Sequence, residues 1–355
     1  PALCARTLDK VVLATAHNAM SSAALGWLIP NQQVGIPEQL KAGIHGFLLD
    51  THYGYAQPDG KVLDTASPPP AGVKDVYLCH EFCTIGATPL KGVLTAMAAH
   101  IRKNPNNVFV IVNEDYVTPK DFAAAVKSSG LLKYVYPGKT TGKWPTLRTM
   151  IQKKQQVVIL SEGHSGTPIS GIPWYHLAYD GTVQETPYSW PTAPLLTDAA
   201  NWPASCVPNR GGTKGRLFLM NHWVLNNNVP EQPSAEVVNT QPAIVDRARA
   251  CEQRRGKLPN LLAVDFYGIG DAAGAARELN GVTASPFLEV TAPKPVTVKS
   301  KRKATFRISL SNFGDLVASG ITVCAKVPSG LARKPKCVTV GKIATNGSAT
   351  AKVAI

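Results

Sequence analysis

The first 285 residues alternate between short apolar runs and amphipathic segments, and this alternation limits the possible folds more than any other feature. The apolar runs are rich in valine, isoleucine and leucine, and the segments between them have helical spacing. This pattern is typical of parallel βα units. We predict strands at Val11–Thr15, Gly46–Thr51, Val76–Cys79, Val108–Asn113, Val157–Ser161, Tyr175–Tyr179, Arg216–Asn221 and Leu261–Phe266. Eight strands over this length predict an α/β fold of the (β/α)8 TIM-type barrel class, in regular or distorted form, over residues 1–285.

The segments between the predicted strands contain helix start signals, with proline near the first turn of several. We predict helices at Pro37–Ala42, Pro89–Lys103, Pro119–Ser129, Thr146–Lys153 and Ser234–Arg255. Residues 162–215 are rich in proline, glycine, serine and threonine and have little periodicity. Most of that stretch is therefore predicted to be loop.

Residues 286–355 have a different pattern, because helical spacing stops and short alternating runs follow. Strands are predicted at Phe287–Thr291, Ala304–Ser311, Ile321–Val327, Cys337–Val340 and Ala349–Val353. The pattern predicts a small all-β sandwich. Its 70 residues are fewer than the ~100 of an immunoglobulin-like domain, so an incomplete module also fits.

The net charge of +14 is distributed unevenly. Residues 1–285 hold 25 basic and 21 acidic side chains, whereas residues 286–355 hold 12 and 2. A surface this basic can attract anionic lipid or an anionic cell-surface polymer, although dispersed lysines also occur on surfaces that are simply solvated. We expect no nucleic-acid partner, because the basic residues are not interleaved with stacking aromatics. A monomer is expected.

Apolar runs such as Val108–Val112 are far shorter than the ~18 residues that a membrane-spanning helix needs, which excludes an integral membrane protein. The first apolar run, Val11–Ala14, is too short for a signal peptide. We therefore interpret the chain as a mature or trimmed form.

The seven cysteines do not have the spacing of a zinc site, and Cys79 with Cys83 is too few for one. Local disulfides are favoured, Cys206 with Cys251 and Cys324 with Cys337, and they indicate a secreted or cell-surface protein. Reduced, buried cysteines are the alternative.

Polar side chains follow nearly every predicted strand of the first region. They are His17 and Asn18, Asp50 and His52, His80 and Glu81, Asn113 to Asp115, Glu162, Asn221 and His222, and Asp265 with Tyr267. One such residue alone is usually a hydrogen-bonded cap, but the carboxyl ends of barrel strands meet at one rim, where barrels do chemistry. Two histidines can move protons near neutral pH, and carboxylates can bind Ca²⁺ or Mg²⁺.

The chain resembles the phosphatidylinositol-specific phospholipase C X-domain family, and in particular its secreted bacterial phosphodiesterase branch. The resemblance rests on Thr15–Ser21, Gly43–Thr51, Leu78–Cys83, Val110–Tyr116 and Pro259–Tyr267, which occur in the family's order. It implies a somewhat distorted barrel in which His17 is the general base and His80 the general acid. It also implies Asn18, Asp50 and Glu114 as ligands of a divalent cation, Ca²⁺ rather than Mg²⁺.

The chain departs from the family pattern at two positions. Metal-dependent relatives have a further acid where this chain has Leu48, so a metal-independent enzyme also fits. Metal-independent bacterial relatives have an arginine where this chain has His52. His52, Asp265 and Tyr267 are the predicted phosphate or substrate contacts. Residues 310–331 are similar to bacterial surface repeats of immunoglobulin-like form, which implies an adhesive or spacer role.

The leading hypothesis is an exported phosphodiesterase that cleaves a phosphoinositide-like or polyol phosphodiester, a membrane lipid head group among them, through a cyclic phosphate. The first alternative is a metal-dependent glycerophosphodiesterase or sphingomyelinase-like enzyme. The second is a catalytically idle barrel whose basic β module, residues 286–355, binds a cell-surface polymer.

Overall fold

A computed structural model describes residues 3–66, 68–188, 190–283, 285–286, 288–291, 304–312, 316–324, 337–345 and 347–354. The chain divides into two compact units, Pro1–Val282 and Thr283–Ile355. Within the described residues, no helix has both the length and the apolar character needed to cross a membrane.

The first unit is built around one curled sheet. The strands of this sheet are β1 (Leu13–Ala16), β2 (Gly46–Ala56), β3 (Val62–Asp64), β4 (Val73–Leu78), β5 (Thr88–Pro89), β6 (Phe109–Asp115), β7 (Val157–Ser161), β8 (Tyr175–Leu177), β9 (Val183–Glu185), β10 (Leu217–Asn221) and β13 (Leu261–Val264), while β11 (Leu225–Asn226) and β12 (Val229–Pro230) form a separate two-stranded sheet. Eight of them are parallel neighbours in the order β8-β7-β6-β2-β1-β13-β10-β9. Strand β1 pairs with both β2 and β13. The first and the last strand of this unit are therefore neighbours, as in a TIM barrel. In the described part of the sheet, β8 and β9 form no ladder with each other, so the curl is open there.

The two faces of this sheet pack differently, because side chains alternate along each strand. Phe47 and Ile111 belong to the larger apolar cluster, together with helix residues such as Met97. Leu48 and Val112, one residue further along the same strands, belong to a second cluster on the other face. Both faces are therefore covered, as parallel sheets require.

The helices of this unit are α1 (Ile36–Lys41), α2 (Leu90–Lys103), α3 (Pro119–Ser128), α4 (Leu147–Gln152), α5 (Pro194–Thr197), α6 (Trp202–Ser205), α7 (Gln232–Val238), α8 (Gln241–Arg255) and α9 (Ala272–Leu279). Helix α2 buries Leu90, Leu94, Met97 and Ile101, whose spacing forms one apolar face. The sequence predicted one helix over Ser234–Arg255, but the structure has two. Helix α7 ends at Val238, and α8 begins at Gln241 with Pro242 in its first turn. Proline has no N–H to continue a preceding helix, which explains the break.

The third predicted strand does not take the predicted place in the barrel. Residues 73–78 form β4, which runs antiparallel to β2, with Leu78 opposite Thr51. Strand β2 extends beyond the barrel to Ala56, and the chain returns beside it through β3 and β4. The eighth parallel strand is instead β9, Val183–Glu185, within the stretch that was predicted to be loop. Three residues are too few to show a periodic pattern.

Three disulfides are present in the described residues. The predicted pairs Cys206–Cys251 and Cys324–Cys337 are confirmed, and Cys79–Cys83 forms a third that was not predicted. Cys4 is a free thiol. The three bonds are typical of proteins from oxidising compartments.

The second unit is all-β in its described residues. Strands β14 (Leu288–Thr291), β15 (Thr305–Asn312) and β18 (Ser348–Ala354) form one antiparallel sheet, and β16 (Ile321–Cys324) pairs with β17 (Cys337–Val340). A small apolar cluster contains Leu310 of the first sheet and Ile321 of the second. Of the predicted strands, Phe287 and residues 325–327 lie outside the described residues.

Candidate active site

A cavity of about 480 Å³ lies at the carboxyl ends of the parallel strands. Its wall contains residues that follow β1, β7 and β10, together with the end of β6 and the segment Leu48–Asp50 within β2. His17 and His80 both line it. The structure thus brings together two histidines that are 63 positions apart in the sequence.

His17 is held by its side-chain contacts. Its Nδ1 lies 2.8 Å from Oδ1 of Asp265, a carboxylate that is only 3% exposed. Its ring stacks on Trp223 with the centroids 3.7 Å apart and the planes 7° from parallel. Because a carboxylate only accepts hydrogen bonds, Nδ1 of the neutral ring carries the proton and Nε2 remains basic.

Asp265 is in turn fixed by neighbouring amides. Asn31 Nδ2 donates to the Oδ1 that His17 contacts, at 3.1 Å. Asn239, at the break between α7 and α8, donates to the backbone oxygen of Asp265 at 2.7 Å. The helix break that the sequence did not predict therefore positions the residue that orients His17.

His80 reaches the same cavity by a different route. It follows β4, which returns antiparallel beside β2 and ends opposite Thr51. The backbone N–H of Cys79 donates to the backbone oxygen of Asp50 at 3.2 Å, which places His80 close to Asp50 on β2. Burial, followed by the nearby His17, lowers the pKa of His80 to about 4.

Three predicted metal ligands, Asn18, Asp50 and Glu114, line the cavity as well. Asp50 is 5% exposed, and its side-chain carboxylate accepts no hydrogen bond from any described residue. Burial raises its pKa well above the ordinary value, and the charges of Glu114 and Glu162 raise it further. A buried carboxylate without a partner beside two further oxygen ligands fits a hard cation such as Ca²⁺.

A second group, Glu114, Glu162 and His164, also has ligand atoms within 4.8 Å of one another. Glu162 is already paired, because its Oε2 accepts from Arg210 Nη1 and lies 3.5 Å from His164 Nε2. Burial opposes ionisation of Glu162, but His164 and Arg210 outweigh it and lower its pKa. The guanidinium makes this carboxylate a poor cation ligand, so Asp50 is the better anchor.

Arg210 is the main positive charge of the cavity wall. Its Nε donates to Oε1 of Glu185 at 2.6 Å, and Glu185 is fully buried. The guanidinium also lies over the rings of Tyr179 and Tyr188, at 4.2 and 5.1 Å from their centroids. Burial alone would lower the pKa of Arg210, but Glu185 and Glu162 outweigh it and raise the pKa above its ordinary value. The charge of Arg210 is therefore permanent.

The three predicted phosphate or substrate contacts lie behind the cavity wall rather than among its described lining residues. Asp265 contacts His17. His52 stacks on Tyr116, with its Nε2 buried and without a hydrogen-bond partner. Tyr267 packs against the large apolar cluster. Asp265 and His52 are thus placed to support lining residues, His17 and Tyr116 respectively.

Sequence reasoning missed several lining residues. Arg210 and Tyr188 lie in the predicted loop, and His164 follows Glu162 within the glycine-containing stretch Gly163–Gly166 that was set aside as loop. Trp223 is 4% exposed and forms the stacking surface for His17. A polar residue three positions beyond the end of β7 was the one available sign, and it pointed to His164.

The family model described as PI-PLC X 1 matches residues 3–280. An uncharacterized secreted protein of Arthroderma benhamiae is 28% identical over 305 residues, covering 79% of this chain and 63% of that protein. The chain thus spans less than two thirds of that relative's length.

Two further proteins are similar to this chain. The PI-PLC X domain-containing protein 1 of A. benhamiae is 27% identical, over 79% of this chain and 88% of its own. The phosphatidylinositol-specific phospholipase C of Staphylococcus aureus is similar in structure, with a TM-score of 0.48 and 15% identity over 79% of this chain and 95% of that one. Because the family model covers more than three quarters of the sequence, the chain belongs to the PI-PLC X family.

Proposed function

We propose that the protein is an exported phosphodiesterase that cleaves a phosphoinositide-like or polyol phosphodiester by acid and base catalysis at His17 and His80. The observation that carries the proposal is the presence of both imidazoles on one cavity, with Asp265 bound to the first. Family membership supports the reaction class, and three disulfides together with the secreted relative support export.

In the proposed reaction, Nε2 of His17 takes the proton from a hydroxyl of the substrate that neighbours the phosphate. The resulting oxygen attacks phosphorus, the bond to the leaving alcohol breaks, and His80 gives that alcohol its proton. The product is a cyclic phosphate, which water can then open. An internal nucleophile supplies about 7 kcal/mol or more of the barrier through orientation alone.

The low pKa of His80 sets a condition on this scheme, since an acid must carry a proton before it can donate one. A phosphodiester anion held between the two rings raises the pKa of His80 towards neutrality, because opposite charge favours the protonated form. We propose that Asn18, Asp50 and Glu114 hold a divalent cation, Ca²⁺ in preference to Mg²⁺, which would neutralise the acids facing the phosphate.

The proposed substrate is a membrane lipid head group. Leu28 and Phe82 are 74% and 58% exposed, and their loops are joined by a hydrogen bond from Leu28 N to Ile85 O of 3.0 Å. Phe82 follows His80 by two residues, so an apolar surface lies beside the cavity. Such a surface suits contact with lipid.

Residues 286–355 are proposed as a separate module that binds an anionic cell-surface polymer or acts as a spacer, in the manner of an immunoglobulin-like repeat. Of its twelve basic residues, Arg307, Lys342 and Lys352 lie in the described part of the unit. Sedimentation of the whole protein with anionic polymer at low and high salt tests this role, and binding that does not weaken with salt would contradict it.

The function is tested by incubating the protein with phosphatidylinositol, glycerophosphodiesters and sphingomyelin, with Ca²⁺ or with chelator, and following the products by phosphorus magnetic resonance. We expect a cyclic phosphate from phosphatidylinositol, and a loss of about 10³-fold in kcat for His17→Ala and for His80→Ala. His100→Ala is the control, since His100 lies on α2 and bonds Asn107.

A product without any cyclic intermediate would favour the glycerophosphodiesterase or sphingomyelinase-like reaction. An inert wild-type protein across the whole panel, with metal supplied, would favour the idle barrel. Full activity of either histidine variant would contradict the assigned roles.

A further inference from the structure

His80 differs from His17 in having nothing that orients its ring. Among the described residues, no side chain or backbone group forms a hydrogen bond or a ring contact with its imidazole. Its side chain is nonetheless largely buried at the cavity wall. The direction of the ring must therefore be set by the backbone that carries it.

That backbone is a five-residue loop closed by a disulfide. Cys79 and Cys83 are bonded, with Cα atoms 4.9 Å apart, and the loop between them holds His80, Glu81 and Phe82. Glu81 has φ of +61°, in the left-handed region that a non-glycine residue rarely adopts. The N–H of Phe82 donates to the oxygen of His80 at 2.7 Å. A loop this short with an unfavourable residue keeps its shape only if its ends are fixed.

Both ends of the loop are fixed. Cys79 and Cys83 are 0% and 3% exposed and share an apolar cluster with Tyr77. Asp64, on β3, accepts hydrogen bonds from the N–H of Cys83 and, at 2.9 Å, from the hydroxyl of Thr84. The hairpin that carries the loop back from the barrel thus also anchors its far end.

We propose that the Cys79–Cys83 disulfide, supported by Asp64, is the positioning element that aims the His80 imidazole into the cavity. The disulfide takes the place that a carboxylate partner has at His17. The effect on turnover rests on the proposed function, whereas the effect on the ring does not. Opening the loop is expected to leave the barrel folded and the His80 ring in several orientations.

The first test measures the ring directly, in full-length protein labelled at histidine. In C79A/C83A we expect the carbon-bound proton resonances of the His80 imidazole to broaden or split, while those of the buried His45 are unchanged. The control is C206A/C251A, which removes a disulfide that bridges α8 and the residue after α6. A single sharp His80 signal at the wild-type position in C79A/C83A would overturn the proposal.

The second test measures turnover of the substrate found in the phosphodiester panel. We expect kcat of C79A/C83A to fall by about 10-fold to 100-fold with KM within threefold, because a displaced catalytic group affects chemistry more than binding. C206A/C251A should lose thermal stability and keep kcat at 25 °C within about twofold. Equal losses of kcat in the two variants would overturn the proposal, since the effect would then be general.

Asp64→Ala provides an independent variant with the disulfide intact. We expect it to broaden the His80 resonance and to lower kcat, and we expect neither effect from Asp75→Ala, since Asp75 pairs with the same residue of β2, Gly54, from β4 on the other side. If C79A/C83A does not fold, Asp64→Ala alone decides, and a native His80 signal in it overturns the proposal. If the wild-type protein is inert, the proposed function fails while the resonance measurements still decide the positioning role.

Discussion

The two sides of the cavity hold their histidines in different ways. His17 is held by side chains, through the 2.8 Å contact with Asp265 and the stack on Trp223. His80 has no such partner in the described structure and stands on a loop closed by Cys79–Cys83. Our proposal is that one site combines polar orientation at one ring with covalent orientation at the other.

The difference follows from how each residue arrives at the cavity. His17 directly follows a barrel strand, so neighbouring strands can place partners beside it, as β13 does with Asp265. His80 instead follows β4, which runs antiparallel to β2 outside the parallel barrel order. Damage to the two sides should therefore have separable effects, which the following predictions use.

The largest effect is expected from Asp265→Asn, which removes the charge beside His17. Without that carboxylate, the imidazolium that forms during catalysis loses its stabilisation, and kcat should fall by about 10³-fold, or about 4 kcal/mol. Steady-state kinetics checks this, with the His80 resonance as the control that should not move. A kcat within tenfold of wild type would contradict the proposed contrast between the two rings.

The next effect is on stability at acid pH and concerns His80. Its pKa is about 4 in the folded protein against an ordinary 6.5, so the unfolded chain takes up the proton first as pH falls. Above pH 6.5 the neutral ring does not lower the free energy of unfolding. As the pH falls from 6.5 to 4, the free energy of unfolding decreases by about 3 kcal/mol because of His80.

This prediction is checked by denaturant unfolding of wild type and His80→Gln at pH 7 and pH 4. The variant should lose less stability between the two values than the wild type. His45 and His222, with pKa values lowered by burial to about 4 and about 3, remain in both proteins and account for the rest of the acid effect. Identical pH dependence in the two proteins would contradict the assignment to His80.

Arg210→Ala changes neither the contact of His17 with Asp265 nor the Cys79–Cys83 disulfide, so it serves as a reference for stability. It leaves Glu185 fully buried without its guanidinium, which should lower the free energy of unfolding by about 3 kcal/mol. Arg249→Ala, which removes an exposed pair with Glu252 at 2.9 Å, is the matched control and should change it by about 0.5 kcal/mol or less. Similar losses in both would show that the cavity pair is not buried in solution.

The smallest effect is expected from Trp223→Leu, which removes the ring beneath His17 and keeps an apolar side chain. Stacked aromatic pairs contribute about 1 kcal/mol beyond their buried area, so kcat should fall by about fivefold. Trp190→Leu is the control, because Trp190 packs in a separate cluster. A loss as large as that of Asp265→Asn would show that stacking, and not the carboxylate, holds His17.

Much of the barrel was predictable because its strands are buried on both faces. Strands β6 and β7 begin with continuous apolar runs of four residues, Phe109–Val112 and Val157–Leu160, and such runs are visible in one sequence. The all-β character of the second unit was likewise visible as alternation. Strand β9 was not, because three residues between polar neighbours carry no period.

The sequence by itself determined which residue types follow the strands, since His17 and Asp50 adjoin apolar runs that must be buried. Only the tertiary structure decided that Arg210 faces Glu162 and Glu185, and that Cys79 bonds Cys83 around His80. The physical reason is that burial patterns are local and repeat along the chain. Contacts between distant side chains depend on how the sheet curls and where the hairpin returns, and no local pattern records either.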